Sequence, residues 1–265
     1  MKLPTFKKEP YEEKTGIFGD AIDYSVYHMS AVQKAVTFAC GAAGGYLTGY
    51  LFYESILLSL ITGLLCGGIL LPVRRNYIIK KRRETLLLQF KDALESLNTS
   101  IGAGENTTDA FLTAQKDMEY QYSEDSYIAR ELATINEGIC NNINLEVMLL
   151  DLSDRSGLED INSFANVFET CFRKGGNVKE VIKNTYQIIC DKIDIAQEIK
   201  TMVAAQTNEQ HVMMVMPVAF VFLLKMLGDE VIDLTSSSGR SATTVAVVLF
   251  VAAFLIGKKI LDIKV

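Results

Sequence analysis

Hydrophobic and polar positions follow two unlike patterns along this chain. No charged residue occurs from Ala35 to Tyr53 or from Ser55 to Val73, and Glu54 alone separates these two 19-residue stretches. With about 1.5 Å of rise per residue, each makes a helix of roughly 28 Å, close to the ~30 Å of bilayer hydrocarbon. Each therefore predicts a membrane span. Glu54, beside Tyr50, Phe52 and Tyr53, suits a hairpin tip, with aromatics at headgroup depth and the carboxylate in water. A cleaved signal peptide fits poorly, because a charged segment precedes the first run and a second run follows at once. Val212 to Leu224 predicts a third span with Pro217 inside it, and the Lys225 ammonium can snorkel toward Asp229 and Glu230. Ser241 to Gly257, 17 residues, predicts a fourth.

Between the pairs the pattern becomes amphipathic. Leu87, Phe90, Leu94, Leu97 and Ile101 recur at helical spacing, and Gly102-Ala103-Gly104 is a natural stop. Asn106 or Thr107 opens a second helix to about Tyr122, and Ser123 opens a third to Cys140 with Ile128, Leu132, Ile135 and Ile139 on one face. A fourth covers Leu145 to Leu152. Ser156 with Glu159 reads as a capping box opening a fifth helix, whose stripe is Ile161, Phe164, Phe168 and Phe172 and whose end is Gly175-Gly176. Asn177 with Glu180 repeats the cap and opens a long helix with Val178, Ile182, Ile189, Ile193, Ala196, Ile199 and Val203 on one face. No proline lies between Pro72 and Pro217, and sustained period-2 alternation is absent, so the insert predicts a helical bundle. With neither glycine nor proline from Ala204 to His211, the last helix is expected to continue unbroken into the third span.

Charge then orients the chain. Residues 1 to 34 carry five Lys or Arg, Arg74 to Arg83 carries six (Arg74, Arg75, Lys80, Lys81, Arg82 and Arg83), and the tail carries three. The hairpin tip carries none and Asp229 to Arg240 carries one. The positive-inside rule puts both termini and the bundle in the cytoplasm, and the Arg74–Arg83 cluster reads as a topology signal that also touches anionic lipid. Expected segments are a cytoplasmic stretch 1–34, a transmembrane hairpin 35–73, a cytoplasmic domain 84–206, and a C-terminal transmembrane pair 207–265. The fold class is all-α, a cytoplasmic bundle inserted between two pairs of transmembrane helices in a multi-pass membrane protein. From Glu84 to His211 there are ten basic residues against twenty-two acidic ones, which argues against a nucleic-acid partner.

Chemistry is sparse. There is no phosphate-cradling G-x-x-x-x-G-K-[ST], no G-x-G-x-x-G opening a helix after a strand, no C-x-x-C and no H-E-x-x-H, so neither enzymatic activity nor a cofactor or metal is expected. His28 and His211 are isolated. The five cysteines, Cys40, Cys66, Cys140, Cys171 and Cys190, lack metal spacing and read as small core residues. Asp151 with Asp154, and Glu159 with Asp160, read as solvated charges near helix ends. Gly41, Gly45 and Gly49 on the first span and Gly63 and Gly67 on the second recur every four residues, so each helix carries a flat stripe. The stripes serve packing inside the hairpin, or an oligomer contact or groove for another helix.

Two spans, a helical domain and two more spans resemble the type II secretion F-domain family, in its tight-adherence (Tad, Flp pilus) B and C kind. The resemblance is carried by Ser100 to Ala110 with its Gly102 and Gly104 turn, by Phe172 to Val181 with Gly175, Gly176 and Asn177, and by the long helix leading to Pro217. It covers roughly Leu87 to Gly257, and its motifs are structural rather than catalytic. Lys225 and the acidic Asp117–Asp125 stretch depart from the pattern. The resemblance implies a non-enzymatic platform in the inner or cytoplasmic membrane, above a hexameric assembly ATPase whose motion helps extract pilin-like subunits. Expected partners are that ATPase, a paralogous B/C subunit or further copies of the chain, pilin-like subunits and the bilayer. A small transporter or channel subunit is the alternative, with Lys225 as its only intramembrane charge.

Overall fold

In the computed structural model the described residues are 14–19, 21–53, 55–226 and the short helical pieces 244–246, 249, 252–253 and 256–257. The fold is all-α, and the described residues contain no strand. Among the described residues the helices run in order as α1 Ala31–Tyr53, α2 Ile56–Gly102, α3 Thr107–Tyr122, α4 Tyr127–Cys140, α5 Leu145–Ser156, α6 Glu159–Lys174, α7 Val178–Met202 and α8 Ala204–Met226. Two compact units divide them, one of residues 1–28 and 77–191, the other of 29–76 and 192–265.

The first unit is the amphipathic bundle. Its core gathers Leu86, Phe90, Leu94 and Leu97 from α2, Phe111 and Met118 from α3, Leu132 and Ile135 from α4, Met148 and Leu152 from α5, and Phe164 and Phe168 from α6. Burial of each such side chain contributes roughly 1.5–3 kcal/mol, so the helical periodicity of these positions explains why the helices assemble. The aromatic members touch edge to face, with Phe90 and Phe164 rings 5.5 Å apart and Phe111 and Phe168 rings 6.3 Å apart. Helix α3 packs on α4, and α5 on α6.

Several local expectations change. The α2 seam begins at the buried Leu86 rather than at Leu87, which is half-buried, and then runs through Phe90, Leu94 and Leu97 as expected. Ser123 ends α3 instead of opening α4, and Ser126 caps α4 through its hydroxyl and the Ala129 N–H at 3.3 Å. The Ser156–Glu159 capping box does not form. Ser156 is the last residue of α5, its hydroxyl donates to the Ser153 carbonyl at 2.9 Å and accepts from the Leu158 N–H at 3.3 Å, and Leu158 occupies the cap of α6 with no bond from its own side chain. Phe172 stacks on Phe168 but stays 44% exposed, since it sits in the last turn before the left-handed Gly175. Asn177 does cap α7, accepting from the Glu180 N–H at 3.3 Å.

The second unit contains α1, the apolar start of α2, and α8. Among the described residues one helix, α2, is long and apolar enough to cross a membrane. Its 47 residues carry Pro72 in the interior, which removes one main-chain bond without ending the helix. The first predicted span lies within α1, the second within α2 and the third within α8, while most of Ser241 to Gly257 lies outside the described residues. The single helix expected through Ala204 is two helices, parted by a turn at Val203. There the Val203 N–H donates to the Ile199 carbonyl at 3.0 Å and the Thr201 hydroxyl to the Glu198 carbonyl at 2.7 Å.

Candidate functional site

Two places in the bundle and one in the hairpin combine chemistry with an ordered position. The first is a buried ionic cluster between α4 and α5. Arg155 and Glu131 are 2% and 4% exposed at the side chain, and the guanidinium meets both carboxylate oxygens, at 2.8 and 2.6 Å. The Arg155 Nε also donates to Asp151 at 2.7 Å, one turn earlier on α5, and Nη1 donates to the Ile22 carbonyl at 3.2 Å. Tyr24, wholly buried, donates its hydroxyl to Glu131 at 2.8 Å and meets the Tyr127 ring edge-on at 5.6 Å. Burial raises the Tyr24 phenol far above its ordinary value, and the Glu131 carboxylate raises it further. For Arg155 burial works to lower the pKa, but the bonds to Glu131 and Asp151 outweigh it and the shift is upward. The guanidinium therefore stays charged in the core.

The described residues of 14–28 reach this cluster as an irregular segment with turns at 17–18 and 24–25. Its contacts extend to α2, where the Arg83 Nη2 donates to the Ser25 hydroxyl at 2.7 Å and Arg82 lies 4.4 Å above the Tyr27 ring. Arg82 and Arg83, from the cluster expected to signal topology and touch anionic lipid, are thus engaged by this segment. Of the others, Lys80 pairs with Glu84 at 3.8 Å on the exposed face of α2, Arg74 donates to the Thr37 hydroxyl at 2.7 Å, and Arg75 and Lys81 are exposed.

The second place is an open groove of about 500 Å³ between α6 and α7. Phe164, Val167, Val181, Ile188 and Ile189 line it, with Asp160, Asn177 and Glu180 among its polar members. It begins at the predicted Gly175-Gly176-Asn177 turn, where Gly175 adopts φ +72°. A Cβ on Gly102 would lie 3.9 Å from the Lys179 Nζ, so the ends of α2 and α7 are neighbours. Gly104 also takes a positive φ, of +98°, and is exposed. Pro217 lies inside α8, in the other unit.

The third place is the glycine contact of α1 with α2. A Cβ built on Gly45 would stand 2.7 Å from the Cys66 Cβ, one on Gly41 3.0 Å from the Gly67 Cα, and one on Gly63 2.8 Å from the Ala42 carbonyl. Gly49 approaches Ser59 and Thr62, Gly67 approaches Phe38, and the Thr62 hydroxyl donates to the Gly45 carbonyl across the pair at 3.2 Å. The stripes are used within the hairpin.

Sequence reasoning missed Glu131, Arg155 and Tyr24. A signal existed: Glu131 falls three residues after Ile128 and four before Ile135, inside the apolar stripe of α4, and Asp151 precedes Arg155 by four. Asp151 was expected to be solvated, yet its side chain is only 14% exposed because it completes the Arg155 fork, whereas Asp154 is 71% exposed beside Lys14. None of the five cysteines is buried: Cys40, Cys66 and Cys140 are exposed and Cys171 and Cys190 half-buried, because larger side chains fill the core positions. The His211 and Lys225 side chains and Glu54 lie outside the described residues. No group of three or more His, Cys, Asp or Glu among the described residues is arranged to hold a metal ion. The chain matches no protein-family model, no curated protein and no solved structure.

Proposed function

We propose that the protein is a non-enzymatic platform subunit of a membrane machine for filament assembly or secretion, of the tight-adherence F-domain kind. One observation carries the reading. Helix α2 is apolar and bilayer-length from Ile56 to Val73, then amphipathic from Leu86 with its seam in the core of an acidic helical bundle. A chain organised in this way joins a lipid-facing element to a water-facing domain through one helix. In the proposal four spans cross the cytoplasmic membrane, and the bundle meets a hexameric assembly ATPase on the cytoplasmic side. ATPase movements are passed to the spans, where pilin-like subunits leave the bilayer. The sequence features that resemble the family, the Gly102–Gly104 and Gly175–Asn177 turns, lie at the ends of α2 and α6, where the chain reverses within the bundle.

Affinity purification of the full chain from its own membranes tests this. Recovery of a hexameric secretion ATPase, lost on deletion of residues 84–200, supports the platform. Failure to recover one in mild detergent, together with solute flux in liposomes holding the purified chain, replaces the platform with the transporter reading. Topology has a separate test: in a cysteine-free background, a thiol placed at Ser237 labels from outside in intact cells if the chain crosses four times. Labelling only after lysis removes the four-span arrangement.

A further inference from the structure

The segment Lys14–His28 is held to the bundle by means unlike those that hold the helices to one another. Among its described residues only Asp23 and Tyr24 are buried, while Ile17 and Phe18 remain 44% and 39% exposed. The segment folds upon itself first. The Asp23 carboxylate accepts from the Lys14 N–H at 3.0 Å and from the Ser25 N–H at 2.7 Å, and the Ala21 N–H donates to the Thr15 carbonyl at 3.1 Å. Its attachment to the bundle is mostly polar. The Tyr24 N–H donates to the Arg155 carbonyl at 3.0 Å, the Lys14 Nζ donates to the Asp154 carbonyl at 3.0 Å, and the Tyr24 hydroxyl, the Ile22 carbonyl and the Ser25 hydroxyl engage Glu131, Arg155 and Arg83.

Satisfaction of the buried charges is lopsided. Without the segment, Arg155 keeps Asp151 and both oxygens of Glu131, so the ion cluster remains paired. Without the cluster, the segment keeps its internal turn and its polar contacts with Asp154, Arg82 and Arg83 at the surface. Groups on the segment that lose a partner move into water, which replaces the bond at small net cost, whereas an unpaired charge left in the core would forbid release. A stretch with one large buried side chain and exposed neighbours belongs to the low-stability end of local opening.

We propose that Lys14–His28 is a releasable strap with Tyr24 as its pin. Closed, it covers the Glu131–Arg155 pair and engages Arg82 and Arg83. Open, it exposes that pair and frees both α2 cations, while the α3–α6 core stays folded. The strap requires only contacts inside the first unit, so it stands independently of the platform reading.

Hydrogen–deuterium exchange on the full chain in detergent micelles tests it. Peptides covering the strap are expected to exchange at least tenfold faster than those of α4 and α5 in the unaltered protein. Tyr24→Phe removes a bond to a carboxylate and speeds strap exchange about tenfold further, with α3, α4 and α6 within twofold of their starting rates. Gly16→Ala opens the strap from its own side. Gly16 has φ +70°, and an added Cβ would meet the Ala21 Cβ at 2.7 Å. Equal exchange of strap, α4 and α5, or strap rates unmoved by both substitutions, overturns the proposal.

Discussion

Between α1 and α2 side chains are omitted so that backbones meet; between α4 and α5 charged side chains meet one another in the core. Both contacts bring helices together, but they fail in different ways. In the hairpin an added methyl has nowhere to go, because Gly45, Gly49, Gly63 and Gly67 are buried against the opposite helix. In the bundle a lost charge is the danger, because Glu131 and Arg155 are each other's main compensation. The lesson is that the hairpin is specified by shape and the α4–α5 seam by charge balance. Shape suits an apolar setting where there is little hydrophobic gain between helices and close packing must supply the attraction. Charge suits a bundle in which the aromatic core already supplies cohesion.

The largest effect should come from breaking the charge balance. Arg155→Met leaves Glu131 buried without its cation and is expected to destabilise the bundle by about 3–5 kcal/mol. Adding Glu131→Leu should restore most of that loss, because two apolar side chains then replace the pair. Denaturant unfolding followed by circular dichroism reads both. A single substitution costing under ~1 kcal/mol, or a double costing more than the single, would show that the cluster is not the seam's controlling contact.

Hairpin shape comes next. Gly45→Ala should cost about 1–3 kcal/mol by overpacking against Cys66 and the Thr62 carbonyl. Gly44→Ala, one residue away with nothing within 4 Å, should be neutral. Thermal unfolding in bicelles separates the two, and equal responses would mean that the hairpin does not rely on the stripe.

Much of this contrast was legible in the sequence, unevenly so. Spacing in steps of three and four located α2, α4, α6 and α7 and most of the core, and the four-residue glycine recurrence located the hairpin contact. Helix boundaries resting on a hydroxyl were the weak point. Ser123, Ser126 and Ser156 are chemically interchangeable caps, and only the tertiary path decides that Ser126 opens a helix while Ser156 closes one. The ionic cluster was harder still, because Tyr24 and Glu131 are 107 residues apart and no local period links them. The Val203 turn likewise has no marker in the sequence, since neither glycine nor proline occurs from Asn177 to Met216.

A smaller effect sharpens the capping side of the comparison. Asn177→Ala removes the side-chain bond that starts α7 and should cost about 1 kcal/mol, read by denaturant unfolding. Leu158→Ala at the uncapped start of α6 loses no such bond. If the two substitutions shortened their helices alike, as judged by exchange in the first turns, the Asn177 cap would carry no special weight.

The smallest effect is confined to high pH. Tyr122 is pushed up to about 12 by burial first, and then by its hydroxyl's bond to the Asp92 carboxylate on α2. The folded state therefore holds this proton more tightly than the unfolded state, whose phenol titrates near 10. The resulting stabilisation is complete below about pH 10 and is lost as pH climbs from there through about 12. Tyr122→Phe should remove one of the late components of the phenolate absorbance at 295 nm and flatten the stability profile over that window. The glycine contact of the hairpin is made by close approach rather than by a bound proton, so its Gly45→Ala penalty should stay unchanged across the same range. A penalty that tracked the phenol would join the two contacts into one cooperative element and erase the contrast between them.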